Sequence, residues 1–315
     1  MLMGKVLLVA LCLAGPARSL AQNVLNDTLA SVIAYWEPGD QRSYSVERER
    51  TGSRPGRSTY TIAFRVLDAT DSTYILECLF NNMTSDAALP ESGRDKAVFQ
   101  RLLNASNGLR VLCTTDETGI PEALSNRQEV EEHARQVMLG ILDLALDPEE
   151  RRQMQHALSP VIDADALAQD ALEDIGTILF PFGVAYIVGR TESVQSEIAN
   201  PLGAEPFRTQ QEFTMTHLDT TAYTARMHMV QHIDPKAVDE DMEALVDGSG
   251  GEVLNAEGRE QLRRTIEGIA VKETMDIDVD LHGAWTTRLV FVRETTVRGV
   301  QEVDTRTYTL RSAKP

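Results

Sequence analysis

Basic residues are scarce in this chain of 315 residues, which has 30 Lys and Arg against 48 Asp and Glu and a formal net charge of −18. Only five of the basic residues are Lys. An acidic chain repels the phosphates of nucleic acids and the head groups of anionic lipids. The composition therefore disfavours both classes of partner, and we expect no nucleic-acid partner.

Long apolar segments are also lacking. Val6 to Ala14 contains nine apolar residues, whereas a helix needs about 20 to cross the hydrocarbon core of a bilayer. Lys5 precedes this segment and Ser19-Leu20-Ala21 follows it, an arrangement typical of a cleaved secretory signal peptide. We therefore expect residues 1–21 to be removed and residues 22–315 to be exported to the periplasm or the extracellular space, as a soluble protein without a membrane span or a lipid anchor.

Cysteine is rare, with three residues in the chain. Two of them, Cys78 and Cys113, lie outside the predicted signal peptide. In an oxidising compartment an even pair is a candidate disulfide. Two buried free thiols are the alternative, because both residues fall on apolar strand faces and a bridge requires Cα atoms within about 7 Å of each other. The sequence leaves these alternatives open.

Recognisable motifs of catalysis and metal binding are absent too. The chain has no H-E-x-x-H pair, no phosphate-binding loop and no dinucleotide fingerprint. Asp276-x-Asp278-x-Asp280 resembles the opening of a calcium loop, but Leu281 and Thr287 stand where that loop needs Gly and Glu. We interpret the three carboxylates as a solvated strand face. We expect no metal and no cofactor, and the balance favours a protein that is not an enzyme.

Alternation of apolar and polar residues is typical of half-buried strands, and it predicts three sets of antiparallel hairpins. The sets are a hairpin of 60–66 with 74–80, a hairpin of 210–219 with 223–233, and a C-terminal meander from 271 to 310. One register in each set places the large apolar residues on one face. The predicted pairs include Ile62 with Cys78, Phe213 with Met229, Met215 with Met227, His217 with Ala225, Met275 with Phe291, Ile277 with Leu289 and Leu289 with Leu310.

Helical spacing of apolar residues predominates in the middle of the chain. The predicted helices cover 94–106, 126–146, 148–158, 163–179, 256–270 and an N-terminal segment from Val24 to Trp36. Weaker strands are predicted at 43–50, 109–114, 119–124 and 183–198. Hairpins on both sides of a helical block predict one α+β domain. We expect a curved, half-barrel-like antiparallel sheet of long hairpins, with a helical insertion at about 126–180 covering its concave face.

A methionine-rich surface is the first candidate ligand site. Met215, Met227 and Met229 are predicted to share a strand face with His217. Flexible Met side chains adapt to apolar ligands of varied shape. His217 has two further interpretations, a core histidine with a hydrogen-bonding partner or the base of a hydrolase.

A row of charged residues is the second candidate site. Glu273, Arg293 and Arg306 are predicted to lie in one row at the apolar edge of the meander. Such a row is able to anchor a carboxylate or another anion at the mouth of an apolar cavity. The alternative interpretation is the place where the inner face of the sheet meets solvent.

Several short segments, together with the strand and turn pattern, carry a resemblance to a known group of proteins. They are Gly39-Asp40 before Tyr44-x-Val46, the hairpin segment 66–77, Thr115 to Gly119 leading to Asn126, and Asn200-Pro201. Together they resemble secreted, β-rich bacterial envelope proteins of uncharacterised function. The resemblance implies an exported β-rich domain and supplies no catalytic residues. In architecture, a sheet with helices on its concave face is similar to lipoprotein-carrier half-barrels.

Three functions are compatible with these observations. The first is an exported, non-enzymatic protein that binds a small apolar or amphipathic ligand between sheet and helices. The second is a structural or interaction protein with a packed core, whose surface contacts another envelope protein. The third is a hydrolase built around His217 or a pair of carboxylates.

Overall fold

The computed structural model describes residues 23–52, 55–86, 93–105, 107–145, 164–198, 207–233, 270–297 and 299–311. The predicted signal peptide, the predicted helix at 148–158 and nearly all of the predicted helix at 256–270 lie outside these ranges. None of the helices within them is long and apolar enough to cross a membrane.

Fourteen strands and three helices make up the described part of the chain. The strands are β1 Val24–Asn26, β2 Leu29–Val32, β3 Gln41–Thr51, β4 Gly56–Ala69, β5 Thr73–Ser85, β6 Leu109–Asp116, β7 Pro121–Leu124, β8 Val184–Ile187, β9 Thr191–Ile198, β10 Phe207–Asp219, β11 Thr224–Ile233, β12 Ala270–Asp280, β13 Trp285–Val297 and β14 Val300–Arg311. The helices are α1 Gly93–Ala105, α2 Arg127–Ala145 and α3 Ala164–Leu179.

Eleven of the strands form one open antiparallel sheet in the order β7-β6-β5-β4-β3-β14-β13-β12-β11-β10-β9. Most neighbours in this order are also neighbours in the chain. The exception is the pairing of β3 with β14, which joins the N-terminal hairpins to the C-terminal ones. A second, small sheet has the order β1-β2-β8. The large antiparallel sheet with inserted helices confirms the predicted α+β class.

The N-terminal helix predicted over Val24 to Trp36 is wrong. This segment forms β1 and β2, joined by a turn in which the Oδ1 of Asn26 accepts a hydrogen bond from the backbone NH of Thr28 at 2.8 Å. β2 then pairs with β8, which lies far away in the sequence. The apolar residues of this segment therefore belong to strands that pair with a distant part of the chain. Their local spacing does not predict this pairing.

The single strand predicted at 183–198 is divided at Gly189. This residue has a φ of +76°, in the left-handed region that glycine adopts without strain. β8 ends before it and belongs to the small sheet, whereas β9 begins after it and forms one edge of the large sheet. The chain thus passes from one sheet to the other at this turn.

Two predicted hairpins have the correct faces but a register that is wrong by two residues. Ile62 pairs with Phe80 instead of Cys78, and Leu289 pairs with Tyr308 instead of Leu310. In the first hairpin an extra residue, a β-bulge, lies in β4 between Val66 and Asp68. Since side chains alternate with a period of two, a shift of two residues leaves each of them on its predicted face.

A second bulge moves His217 to the other face of the sheet. The predicted pairs of Phe213 with Met229, Met215 with Met227, Met275 with Phe291, and Ile277 with Leu289 are confirmed. Beyond Met215, however, Thr216 is an extra residue in β10, so that Leu218 pairs with Ala225. His217 pairs with Arg226 and is exposed. The prediction that His217 shares a face with the methionines is therefore wrong, because one inserted residue reverses the alternation.

Aromatic side chains connect the small sheet to the large one. Trp36, which follows β2, stacks on Trp285 of β13 with ring centroids 4.7 Å apart. It also contacts Tyr74 and Phe182, with centroids at 5.2 and 5.4 Å. Its indole NH donates a hydrogen bond of 2.8 Å to the carbonyl of Ala284. Such aromatic pairs contribute about 0.5–1.5 kcal/mol each beyond the burial of their area.

Gly119 lies against this aromatic cluster and allows a test of its packing. A Cβ added there would stand 2.8 Å from the Cβ of Ala34 and 3.0 Å from the ring of Phe182. Gly39 has nearly the same φ, +97° against +98°, and open space around the added Cβ. Both Gly-to-Ala substitutions introduce backbone strain, but only Gly119→Ala adds overpacking of about 1–3 kcal/mol. Urea unfolding should show that larger loss for Gly119→Ala than for Gly39→Ala, and equal losses would contradict this packing.

Candidate functional site

Paired residues form rows across the inner face of the large sheet, the face that carries its buried apolar side chains. Directly opposite residues of antiparallel strands project from the same face. One row, which we call the mixed row, consists of Phe213, Met229, Met275, Phe291, Arg306 and Arg48. A neighbouring row, the polar row, consists of Gln211, Gln231, Glu273, Arg293, Asp304 and Arg50. An apolar surface and a charged surface therefore meet on the same strands.

Methionines from three adjacent strands form a patch on this face. The methionine patch consists of Met215, Met227, Met229 and Met275. The first three are the methionines expected from the sequence, and Met275 joins them by pairing with Met229. Each is at most 7 % exposed. Phe180, which directly follows α3, stacks on Phe213 beside the patch with ring centroids 5.3 Å apart.

The predicted charged row is only partly correct. Glu273 pairs with Arg293, and the Nε of Arg293 donates a hydrogen bond of 2.6 Å to the Oε1 of Glu273. Asp304 occupies the place expected for Arg306, because the register of β13 with β14 is shifted by two residues. Arg306 instead pairs with Phe291 in the mixed row.

A carboxylate of α3 nevertheless brings the two arginines together. The Oε1 of Glu173 lies 3.2 Å from the Nη2 of Arg306 and 3.5 Å from the Nη2 of Arg293. The predicted anion anchor is therefore engaged by a side chain of the protein itself. Both guanidinium groups also lie over the ring of Phe291, with Cζ atoms 5.4 and 5.7 Å from its centroid, within the range of cation–π attraction.

Asp174, the next residue of α3, forms hydrogen bonds to side chains of two strands of the large sheet. It accepts hydrogen bonds of 2.6 Å from the hydroxyl groups of both Tyr60 and Tyr308, and one of 3.3 Å from the Nη1 of Arg306. Burial raises the pKa of both tyrosines far above the ordinary range, and the negative charge of Asp174 adds to this effect. Both hydroxyl groups therefore remain protonated donors.

Asp304 forms a second bonded centre between β14 and β3. The guanidinium of Arg48 donates to both of its oxygens, and Arg50 and Arg306 lie 3.6 Å from it. Burial alone would raise the pKa of the Asp304 carboxyl. The hydrogen bond and charge of Arg48, with the charges of the other two arginines, outweigh burial and lower that pKa below its usual value.

The charges of this cluster balance. We define the charged cluster as Arg48, Arg50, Arg293, Arg306, Glu173, Asp174, Glu273 and Asp304. Four guanidinium groups thus face four carboxylates. The Nε of Arg306 is buried without a hydrogen-bond acceptor among the described residues. The cluster therefore neutralises its own charges but leaves one buried donor unused.

Three of the four carboxylates of this site, Glu173, Asp174 and Asp304, are missing from the sequence-based prediction. Glu173 and Asp174 belong to a helix whose inward side was assigned from its apolar residues alone, and two adjacent carboxylates are typical of a solvated helix face. The sequence offered one signal, since Asp174 stands next to the apolar residue Ile175. The structure shows that Ile175 is fully buried. A sequence does not show that this edge of the helix faces two tyrosines and an arginine on distant strands.

The other predicted polar candidates lie on the opposite, outer face. His228 forms a contact of 2.8 Å with Asp276, and Arg226 donates to Asp278 at 2.9 Å. Asp280 accepts hydrogen bonds from the backbone of the turn that follows β12. Each carboxylate of the calcium-like motif therefore has a partner within the protein, and the described residues contain no cluster suited to a metal ion.

Both cysteines outside the predicted signal peptide are buried free thiols in the structure. Cys78 pairs with Val111, and Cys113 pairs with Leu76, so the two cysteines are diagonal neighbours on β5 and β6. Burial raises the pKa of the Cys113 thiol to about 12 and that of Cys78 well above its usual value. The structure thus corresponds to the second of the two alternatives left open by the sequence.

Comparisons with known proteins do not identify this chain. It matches no protein-family model and no curated protein. Its structure resembles lipovitellin with a TM-score of 0.36 and 8 % sequence identity, over 89 % of this chain and 26 % of the lipovitellin chain. A porin-like protein from Bacteroides uniformis gives a TM-score of 0.18 and 9 % identity, over 88 % of this chain and 99 % of that one. The chain thus spans about a quarter of the length of lipovitellin, and similarities at these TM-scores assign no function.

Asp304→Asn should show a stability loss that depends on pH. The lowered pKa of Asp304 means that its ionised form stabilises the fold at pH values above its unfolded pKa of about 3.9, and that this contribution disappears as pH falls through the lower folded value. We expect Asp304→Asn to cost about 2 kcal/mol at pH 7. The difference from wild type should shrink below pH 4, as measured by urea unfolding at several pH values.

Asp276→Asn is the matched control for this measurement. Asp276 also has one close basic partner, but its side chain is 65 % exposed. Its replacement should change the free energy of unfolding by less than about 0.5 kcal/mol at pH 7. A pH-independent loss in Asp304→Asn would show that the lost contacts, not the ionised carboxylate, stabilise the fold.

The thiols can be counted directly. In the chain without residues 1–21, a thiol reagent should react with two groups after unfolding in urea without reductant. In the native protein the reaction should be much slower, because burial keeps both thiols protonated and inaccessible. Unfolded protein that shows no reactive thiol would establish the disulfide instead.

Proposed function

We propose that this protein is a non-enzymatic envelope protein that binds an apolar or amphipathic ligand between the inner face of its large sheet and α3. The observation that carries this proposal is that the methionine patch and the charged cluster lie in adjacent rows of the same inner face. Met275 and Glu273 lie two residues apart on β12, and Phe291 and Arg293 do so on β13. Such residues share a face about 7 Å apart. A ligand with an apolar body and a polar end fits this arrangement.

The chemistry of the patch supports the same conclusion. Methionine is flexible and polarisable, so it fills irregular space and repacks around different apolar shapes. The opposite half of the inner face uses rigid aromatic and β-branched residues such as Ile62, Phe64 and Val66. The end of the inner face with aromatic and β-branched residues is thus suited to a rigid core. The end with the methionine patch is suited to side chains that repack around a ligand.

The proposed location rests on the sequence alone. The basic, apolar and small-residue regions of residues 1–21 are those of a secretory signal peptide. We therefore place the proposed binding function outside the cytoplasm. Cell fractionation of the tagged protein tests this location: an uncleaved cytoplasmic product would contradict it.

A structural or interaction protein is the second candidate function. The observation that favours it is the burial of the methionine patch, which leaves each side chain at most 7 % exposed. A hydrolase centred on His217 has less support, because this residue is exposed on the other face of the sheet. Uptake of an apolar probe by the methionine patch distinguishes the first two candidates.

The proposal predicts saturable binding of N-phenylnaphthylamine, a neutral apolar probe whose fluorescence rises in apolar surroundings. Met229→Ala should weaken this binding by about fivefold, because the shortened side chain loses apolar contact with the probe. Leu76→Ala is the matched control, since it truncates an equally buried side chain of the same inner face on β5. It should leave the probe affinity unchanged.

Three results would contradict the binding function. They are the absence of saturable fluorescence, an unchanged affinity in Met229→Ala, and an equal loss of affinity in both variants. The first of these would favour the structural or interaction protein. Thermal unfolding of each variant before the titration ensures that folded proteins are compared.

A further inference from the structure

The charged cluster indicates what kind of polar end the ligand has, an inference that rests on the proposed binding function. We propose that the ligand is an amphiphile with a carboxylate head group and an apolar tail. In the ligand-free protein, the carboxylate of Glu173 occupies the position of that head group.

The contacts of Glu173 are those of an exchangeable anion. One of its oxygens lies between the Nη2 atoms of Arg306 and Arg293, at 3.2 and 3.5 Å. The side chain of Glu173 is 35 % exposed, whereas that of Arg306 is 4 % exposed. Glu173 is therefore free to rotate toward solvent, while the guanidinium of Arg306 remains in the site.

Asp174 does not take part in this exchange. Its two tyrosine hydrogen bonds of 2.6 Å and its contact with Arg306 occupy both oxygens, and its side chain is 13 % exposed. The same hydrogen bonds keep α3 against the sheet when Glu173 moves. Exchange of the anion itself therefore requires a change of one side chain and no displacement of the helix, and the tail is accommodated by rearrangement of the buried methionines.

Charge balance favours replacement over addition. Four guanidinium groups face four carboxylates in the charged cluster, so an additional anion would leave an uncompensated negative charge in a partly buried site. An anion that replaces Glu173 restores the balance. The unused Nε of Arg306 offers a further donor, and guanidinium groups bind carboxylates best through two parallel hydrogen bonds.

The mixed row supplies a path for the tail. From Phe291, beside the two arginines, it continues through Met275 and Met229 to Phe213. Three strand spacings of about 4.8 Å give this path a length of about 14 Å. A head group in the place of Glu173 thus has an apolar surface beside it that is long enough for an acyl chain.

The test uses two probes with the same tail, dodecanoate and the neutral dodecanol, in competition with N-phenylnaphthylamine. Glu173→Gln removes the built-in anion and leaves a surplus positive charge. It should bind dodecanoate about tenfold more tightly than wild type, with unchanged affinity for dodecanol. Arg293→Gln should have the opposite effect on dodecanoate, because it removes one of the two partners of the head group.

Glu77→Gln is the matched control. Glu77 forms an ion pair of 2.6 Å with Arg110 and is 24 % exposed, but it lies on β5, away from the charged cluster. This variant should bind both probes as wild type does. A change in dodecanoate affinity equal to that of Glu173→Gln would indicate a general charge effect and overturn the proposed head-group site.

The outcomes separate this inference from the proposed function. If N-phenylnaphthylamine binds but Glu173→Gln leaves the ratio of dodecanoate to dodecanol affinity unchanged, the head-group assignment is wrong and the apolar site remains. If both affinities rise equally, Glu173 only covers the site, and the assignment is also wrong. If wild type and Glu173→Gln bind none of the three probes, both proposals fail.

Discussion

The largely buried carboxylate of Asp174 connects helix α3 to the large sheet. A charge that is mostly removed from water must be compensated by hydrogen bonds and opposite charge. Asp174 finds both in Tyr60 of β4 and in Tyr308 and Arg306 of β14. Those strands flank β3, which joins the N-terminal and C-terminal hairpins. Asp174 thus helps to hold α3 above the strands that join the two sets of hairpins, together with Glu173, Phe180 and the carbonyl of Ile178, which accepts a hydrogen bond from Thr286.

The side chains at the two ends of the inner face differ in how far they can rearrange. Toward the small sheet, Trp36, Trp285 and their aromatic neighbours interlock at centroid distances of 4.7–5.4 Å. Such close packing does not tolerate a change of volume, which is why a single Cβ at Gly119 is expected to matter. Across β10–β12 the same face includes four unbranched methionines beside Ile277 and Val279, and the many rotamers of methionine allow rearrangement at low cost. We infer that a ligand would enter the methionine end while the aromatic end keeps its arrangement.

Strand faces were predictable from this sequence, but strand registers were not. Alternation has a period of two, so the apolar residues of β4, β13 and β14 face inward whether the register is correct or wrong by two residues. A bulge adds one residue, and its effect is different. The bulge in β4 lies beyond Val66, the last of the predicted apolar residues of that strand, and so leaves their predicted faces unchanged, whereas the bulge at Thr216 turns His217 from the inner face to the outer one. Neither bulge has a glycine or another local signal that would reveal it.

The sequence by itself determined which strand side chains are buried, that the chain is acidic, and that methionines gather on one hairpin, because these properties follow from composition and from spacing over a few residues. Only the tertiary structure decided which charges meet. Asp174 and Arg306 are 132 residues apart, and Tyr60 lies 114 residues from Asp174. Their contact depends on the register of distant strands and on the packing of one helix. The strand registers and the packing of the helix depend on the free energy of the whole fold. A local sequence pattern therefore does not predict them.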